Sequence, residues 1–164
     1  MQKDYIMRML EQVVQALLAI ILRRKAGDYK AAREIVRTTG RQLLRIDIDL
    51  LYFYNSDQLL DHFKGFSNHL ETEKCVLAAD LFHELALIEE AEQQPETALR
   101  LKTLCLHLYT AAIPKEPQFQ ETQYFEKVAI LIEELKDLPH SEQALASLRG
   151  YEEFISVKKH QAVF

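Results

Sequence analysis

Apolar residues recur at three- and four-residue steps along most of the chain, which is the period of an α-helix. The pattern is clearest over residues 5–25, where Asp4 can cap the start of a helix and Gly27 can end it. Further apolar residues widen the stripe of this helix beyond the width that one neighbouring helix covers: Val14, Leu18 and Leu22. We therefore expect the first helix to have packing partners on two sides.

A second helix is predicted to start at Asp28 and to continue through Leu44, although Gly40 weakens it by about 1 kcal/mol relative to alanine. Residues 46–54 fit two patterns, because their apolar residues alternate as in a strand and are also spaced as in a helix. No other segment has a strand pattern that could pair with this one, so we predict one or two helical turns.

The middle of the chain is predicted to be helical with few breaks. Ser56 is the natural cap of a short helix that ends at Gly65. A long helix follows over about 71–92, and a further helix precedes a loop that is bounded by Pro114 and Pro117.

Another helix follows this loop, and the last helix is capped by Ser141, with the chain end from Lys158 onward expected to fray. No low-complexity linker divides the chain, so we predict one all-α domain over residues 1–164. That length is sufficient for a single buried core.

The chain is 48% hydrophobic and 27% charged, as soluble globular proteins are, which argues against disordered and fibrous classes.

Three helix–helix turns look alike when they are compared: 26–32 (AGDYKAA), 93–98 (QQPETA) and 139–144 (PHSEQA). The first closely resembles the G-[DN]-Y-x-x-A turn of tetratricopeptide repeats, and the other two keep the closing alanine and the cap-like residues. The closing alanines are 66 and 46 residues apart, unlike the roughly 34 of a regular array; they are Ala32, Ala98 and Ala144.

The resemblance implies a tetratricopeptide-like fold of three antiparallel hairpins in a right-handed α-α superhelix. The hairpins would cover about 4–45, 70–112 and 120–158, with a short helical insertion over about 46–68. The full-length pattern is also similar to an uncharacterised bacterial family of helical proteins. The alternative is an ordinary irregular helical bundle.

Charge and cysteine usage indicate the compartment. The net charge of −5 is too acidic for a dedicated nucleic-acid binder. The longest apolar run, Val13–Leu22, is interrupted by Gln15 and is about half a membrane span. No small-residue cleavage site follows it, and Cys75 and Cys105 make no disulfide framework. We therefore expect a cytoplasmic protein without a signal peptide and without membrane association.

The sequence offers little support for catalysis or for a metal site. Asp80, His83 and Glu84 lie on neighbouring faces of one helix, but the chain has neither a Glu-x-x-His motif nor a zinc motif. It also lacks a nucleophile elbow and a glycine loop for phosphate. Both cysteines fall on apolar helix faces, where cysteine is usually inert. We therefore predict a protein that is not an enzyme and that has no cofactor and no metal.

Two stretches of opposite charge stand out. Residues 23–45 carry a local charge of +6, and residues 71–100 carry −6. Such stretches could support head-to-tail association, or they could neutralise each other across an internal face. Within the basic stretch an i, i+4 ladder can form an anion-binding surface or a solvated helix face: Arg33, Arg37, Arg41 and Arg45.

The tetratricopeptide resemblance also implies a concave groove that is lined by the first helix of each hairpin. Alignment on the three alanines assigns to it Asp80, His83, Glu84, Leu87 and Glu90 from hairpin two, Glu126, Ile130 and Glu133 from hairpin three, and Leu17, Leu18, Ile21 and Arg24 from hairpin one. An acidic and apolar groove would suit a basic amphipathic partner. The basic carboxylate clamp of some such folds is not supported. Residues 46–68 or a second copy could instead fill the groove.

The apolar first helix also favours self-association. Residues 51–54 (LYFY) add aromatic area nearby, and exposed apolar patches of that size normally mark an interface. We predict a symmetric homodimer through the first helix; the alternative is that residues 46–68 cover this helix within the monomer. The expected function is a protein–protein interaction or scaffolding module with an unknown protein or peptide partner. The alternative is a nucleic-acid or anion-binding regulatory protein that uses the basic helix 30–45.

Overall fold

The computed structural model describes residues 2–64 and 68–163, without the side chains of residues 2, 3, 51, 52, 162 and 163. Within these ranges the chain is helical, and its β-type pairing is limited to an isolated bridge between Lys64 and Leu70. The prediction of an all-α protein is confirmed. The helices are α1 (Gln2–Lys25), α2 (Tyr29–Thr39), α3 (Ser56–His62), α4 (Thr72–Ala91), α5 (Pro95–Ala112), α6 (Thr122–Leu135) and α7 (Glu142–Val163).

The chain divides into two compact units. Unit 1 consists of Met1–Tyr54 and Leu77–Lys102, and unit 2 consists of Asn55–Val76 and Thr103–Phe164. Helices α4 and α5 therefore each contribute residues to both units. The single domain expected from the sequence stays a prediction.

In unit 1 the turn between α1 and α2 has the conformation that its sequence predicts. Gly27 has a φ of 78°, in the left-handed region that glycine adopts without steric cost. Asp28 caps α2, because its side chain accepts a hydrogen bond from the backbone N–H of Ala31 at 3.2 Å. The two helices pack against each other, and Ala32, which closes the turn, is fully buried.

The second helix extends to Leu44 as predicted, but its type changes at Gly40. The α-helix ends at Thr39, and Gly40–Leu44 continue it as a π-helix with Arg45 as its C-cap. A Cβ at position 40 would lie 2.9 Å from Cδ1 of Ile48, so the glycine allows the following segment to approach closely. That segment, Ile48–Phe53, is a 3-10 helix, which confirms the helical prediction for residues 46–54.

In unit 2 the cap of α3 differs from the prediction. Asn55 caps this helix through a reciprocal pair of hydrogen bonds with Gln58, each 2.9 Å long. Ser56 is therefore the first helical residue, and its side chain is buried. The helix ends at His62; Gly65, its predicted end, lies outside the described residues.

The two C-terminal helices of unit 2 follow the prediction closely. The hydroxyl oxygen of Ser141 accepts a hydrogen bond from the backbone N–H of Ala144 at 3.1 Å, which confirms the cap of α7. The segment between α5 and α6 contains two short 3-10 turns, Ile113–Lys115 and Pro117–Phe119, where an irregular loop was expected. Helix α7 continues to Val163, five residues past the predicted end of the third hairpin.

Candidate interaction surfaces

The acidic residues that were assigned to a groove on α4 lie largely inside unit 1. Asp80 is 5% exposed and Glu84 is 9% exposed. Nε of Arg24 donates a hydrogen bond to Oε2 of Glu84 at 2.8 Å, and the more exposed Glu90 forms an ion pair with Lys102. The remaining two residues of this set are half-buried: His83 and Leu87. This part of α4 therefore offers little free acidic surface.

The basic and acidic stretches neutralise each other within unit 1. Nη2 of Arg33 lies 2.8 Å from Oε1 of Glu89 and 2.7 Å from Oε1 of Glu92. Burial would lower the pKa of the Arg33 guanidinium, but the hydrogen bonds to the two glutamates outweigh this effect, so the pKa is raised. Arg24 and Glu84 form a second such ion pair, with Nε of Arg24 2.8 Å from Oε2 of Glu84. Unit 1 thus contains the internal neutralisation that the sequence left as one of two alternatives.

The predicted arginine ladder is not one continuous free stripe. Besides Arg33, Arg37 is engaged, because its Nε lies 3.1 Å from Oδ1 of Asp49. The hydrogen bond to Asp49 raises the pKa of Arg37. Arg41 and Arg45 are exposed, but the π-helix changes the helical register between α2 and Arg45, which has a left-handed φ of 54°.

The third-hairpin residues of the predicted groove lie on α6 in unit 2. Ile130 is exposed, and Glu133 is exposed and lies 2.6 Å from Nζ of Lys136. Glu126 is exposed and lines a separate groove between α6 and α7. Because the α4 and α6 residues belong to different units, a continuous groove across the hairpins stays a prediction.

One side of α1 carries apolar side chains that unit 1 leaves in solvent. Leu22 is 70% exposed, Leu18 is 58% exposed and Val14 is 52% exposed. With the helical spacing of about 100° per residue they share one side with two charged residues and Met7. We call this set the α1 face: Met7, Glu11, Val14, Leu18, Leu22 and Lys25. The predicted groove residues Leu17 and Ile21 border it and are half-buried.

Among the described helices, one is long and apolar enough to cross a membrane by length and composition alone. It is the segment Asp4–Lys25, whose most apolar 18-residue stretch has a mean hydropathy of 1.6 and is 17% buried. The apolar run Val13–Leu22, which Gln15 interrupts, is shorter because it leaves out the apolar residues before it. The 3-10 helix Ile48–Phe53 of the same unit leaves the α1 face exposed.

Unit 2 has a groove of about 490 Å³ between α6 and α7. Its walls are mostly apolar; the lining residues include Phe125, Glu126, Ala129, Ile132, Tyr151, Glu152, Ile155 and Lys159. Burial raises the pKa of the Tyr151 hydroxyl to about 12, so this group stays neutral at physiological pH.

A chain of polar side chains in the core of unit 2 was not predicted from the sequence. The Ser56 hydroxyl is hydrogen-bonded to Nδ1 of His107. Nε2 of His107 lies 2.8 Å from Nδ1 of His140, and Nε2 of His140 lies 3.2 Å from the carbonyl oxygen of Leu135. The chain joins the start of α3, the middle of α5 and the turn before α7.

One placement of hydrogens satisfies every group in this chain. The Leu135 carbonyl can only accept, so His140 donates from Nε2 and accepts at Nδ1 from Nε2 of His107. His107 then accepts at Nδ1 from the Ser56 hydroxyl. Both imidazoles are neutral in this arrangement. Burial lowers the pKa of His107, His140 lowers it further and Asp57 acts in the opposite direction, and together they bring it to about 4.

The geometry of this chain suits support of the fold better than catalysis. A serine hydroxyl beside an imidazole is the arrangement of an activated nucleophile. Here, however, Ser56 is 8% exposed and His107 is 3% exposed, so a substrate could reach the hydroxyl only if unit 2 opened.

The described residues contain no group of three histidine, cysteine or acidic side chains that could hold a metal ion. Cys75 and Cys105 are both buried and are not joined in a disulfide. Burial, with Glu71 and Glu73 adding to it, raises the pKa of the Cys75 thiol far above its usual value, so this thiol stays protonated.

Comparison with known proteins finds no family model, no curated protein and no solved structure that matches this chain. The resemblance to tetratricopeptide repeats and to a bacterial family therefore stays a prediction from the sequence. The class that the fold defines is an all-α protein with an exposed apolar helix face.

Proposed function

We propose that this chain is a non-catalytic protein–protein interaction module and that the α1 face is its contact surface. The observation that carries the proposal is the exposure of Val14, Leu18 and Leu22, each more than half accessible to solvent. Burying one such side chain against a partner contributes roughly 1.5–3 kcal/mol, so a partner that covers all three gains substantially. Contiguous apolar surface of this kind usually marks a binding site.

The proposal moves the contact surface away from the acidic residues of α4. Asp80 and Glu84 are buried, and Glu84 is paired with Arg24 inside unit 1. Their side chains would have to leave these positions to meet a ligand, which costs the ion pair as well as the packing. The α1 face needs no such rearrangement.

The tetratricopeptide-like arrangement of hairpins is part of the proposal. It is supported by the first turn, in which a left-handed Gly27, the capping Asp28 and the buried Ala32 occupy the positions that the repeat motif requires. A cytoplasmic location fits two cysteines that form no disulfide, because disulfides are rare in that reducing compartment.

The alternative function, binding of nucleic acid or another anion by the basic helix 30–45, has weaker support. Arg33 and Arg37 already donate to carboxylates of unit 1. Arg41 and Arg45 alone would contact few phosphates, and affinity for nucleic acid grows with the number of phosphates neutralised. Nucleic-acid binding that weakens about tenfold between 50 and 200 mM salt, as two phosphate contacts require, would favour this alternative.

The experiment compares the wild-type chain with Leu18→Asp and with a control, Gln12→Asp. Gln12 is exposed and lies on another side of α1, so the control adds the same charge away from the face. Circular dichroism first confirms equal helicity. Each chain is then immobilised and incubated with extract of the native host and, separately, with purified wild-type chain.

We expect a protein, or the chain itself, to be retained by the wild type and by Gln12→Asp and lost with Leu18→Asp. Equal retention by all three chains, or retention of nothing by any of them, would refute the proposed function.

A further inference from the structure

We infer that the α1 face binds the α1 face of a second copy of this chain, antiparallel and two-fold symmetric, with Leu18 at the centre. The inference rests on the proposed function and specifies its partner. A symmetric interface must be complementary to itself, because the same surface serves both partners. The α1 face meets this requirement in one register.

The apolar residues define that register. In a two-fold antiparallel helix pair, residues equally far from the centre on opposite sides lie across from each other. Centring the pair on Leu18 places this residue against its own copy and places Val14 against Leu22 of the partner subunit. All three are exposed in unit 1, so the pairing buries the most exposed apolar part of the face.

The charges of the α1 face agree with the same register. Glu11 and Lys25 lie seven residues before and after Leu18, which keeps them on the same side of the helix after about two turns. They therefore lie across from each other in the pair, twice per dimer. Both side chains are exposed, and within the described part of the chain neither makes an ion pair.

Other arrangements of two α1 helices fit less well. A parallel pair sets Glu11 against Glu11 and Lys25 against Lys25, and like charges repel. An antiparallel pair centred between Val14 and Gln15 sets Leu18 against Glu11, which desolvates a carboxylate against an apolar side chain without a partner. Only the register centred on Leu18 matches apolar with apolar and acid with base.

A second copy also fits the α1 face better than a lipid surface. Helices that lie on membranes carry an excess of Lys and Arg beside the apolar side. On the α1 face itself one acid and one base lie at equal distances from the centre, which matches an identical helix, and the exposed Arg8 and Arg23 lie off this face.

The first test is disulfide cross-linking. Position 18 faces itself across the two-fold axis, so Leu18→Cys should form a disulfide-linked dimer under mild oxidation. Val14→Cys alone and Leu22→Cys alone should not, but a mixture of the two should form the mixed dimer. The wild type is the control for Cys75 and Cys105, which are buried.

The second test is charge exchange, measured by sedimentation equilibrium. Glu11→Lys and Lys25→Glu should each raise the dimer dissociation constant about tenfold, because two ion pairs per dimer become repulsive. The double variant restores both pairs and should return the constant to near the wild-type value. Gln12→Lys is the matched control and should leave it unchanged.

The outcomes separate the inference from the proposed function. If the wild type is monomeric while Leu18→Asp still loses another protein, the self-pairing is wrong and the proposed function stands. If the wild type is monomeric and no protein depends on Leu18, both are wrong. Efficient cross-linking of Val14→Cys alone, or no rescue by the double charge variant, overturns the register. Binding to anionic vesicles that Leu18→Asp abolishes, without dimerisation, identifies a membrane as the occupant and overturns both.

Discussion

The two units of the chain bury polar side chains in different ways. Unit 1 buries charges as ion pairs, with Arg24 on Glu84 and Arg33 on Glu89. Unit 2 buries a neutral chain of Ser56, His107 and His140. The ion pairs of unit 1 stay attractive as long as their carboxylates are ionised, whereas the hydrogen-bond chain of unit 2 requires that its imidazoles stay uncharged. The comparison shows that satisfied polar groups in a core can respond to pH in different ranges.

The largest effect that we expect is the acid response of unit 2. The pKa of His107 lies at about 4 in the folded unit and near 6.5 in the unfolded chain, so the unfolded state binds more protons between these values. The contribution of neutral His107 is therefore fully present above pH 6.5 and lost as the pH falls to about 4, by roughly 3 kcal/mol.

Urea unfolding of the wild type and of His107→Gln, at several pH values between 7.5 and 4, measures this response. Glutamine cannot titrate, so the variant should show a shallower loss of stability over that range, whatever its absolute stability. Carboxylates titrate equally in both chains and cancel in the difference. Identical slopes would contradict the assignment of the pH response to His107.

A smaller effect is expected when an ion pair in unit 1 is broken. Glu84→Ala leaves the guanidinium of Arg24 half-buried without its partner and should lower the free energy of unfolding by about 2 kcal/mol, less than for a fully enclosed pair. Replacing both residues, with Arg24→Met and Glu84→Leu, should recover most of the loss. A double variant as unstable as Glu84→Ala would show that packing, and not the uncompensated charge, decides the result.

The smallest effect concerns the exposed pair of Arg37 and Asp49 in the same unit. The Asp49 side chain is 57% exposed, so water and salt screen its attraction for Arg37. Asp49→Asn should cost less than about 0.5 kcal/mol, and 0.5 M NaCl should abolish the difference. A loss as large as that of Glu84→Ala would mean that burial does not distinguish the two pairs.

The helices could be predicted because their signals are local. Apolar spacing, the turn at Gly27 and the caps at Asp28 and Ser141 involve residues a few positions apart, and the structure confirms each of them. The cap of α3 was misplaced by one residue, because Asn55 and Ser56 are adjacent and both are good caps. The capping box with Gln58 decides for Asn55.

The contents of the cores could not be predicted in the same way. Arg24 and Glu84 are 60 residues apart, and the sequence showed only that opposite charges were available. His107 and His140 are separated by 33 residues and belong to no motif. A histidine on an otherwise apolar stretch of α5, with leucines on both sides, was the one available signal that its side chain would be buried among polar partners.

The hydrogen-bond chain of unit 2 has a direction, which the Leu135 carbonyl imposes. Because each ring donates at Nε2 and accepts at Nδ1, both histidines are held in one of their two neutral tautomers, and the Ser56 hydroxyl is held in one orientation. One backbone carbonyl thereby fixes the hydrogen positions on three side chains that come from three separate parts of the sequence.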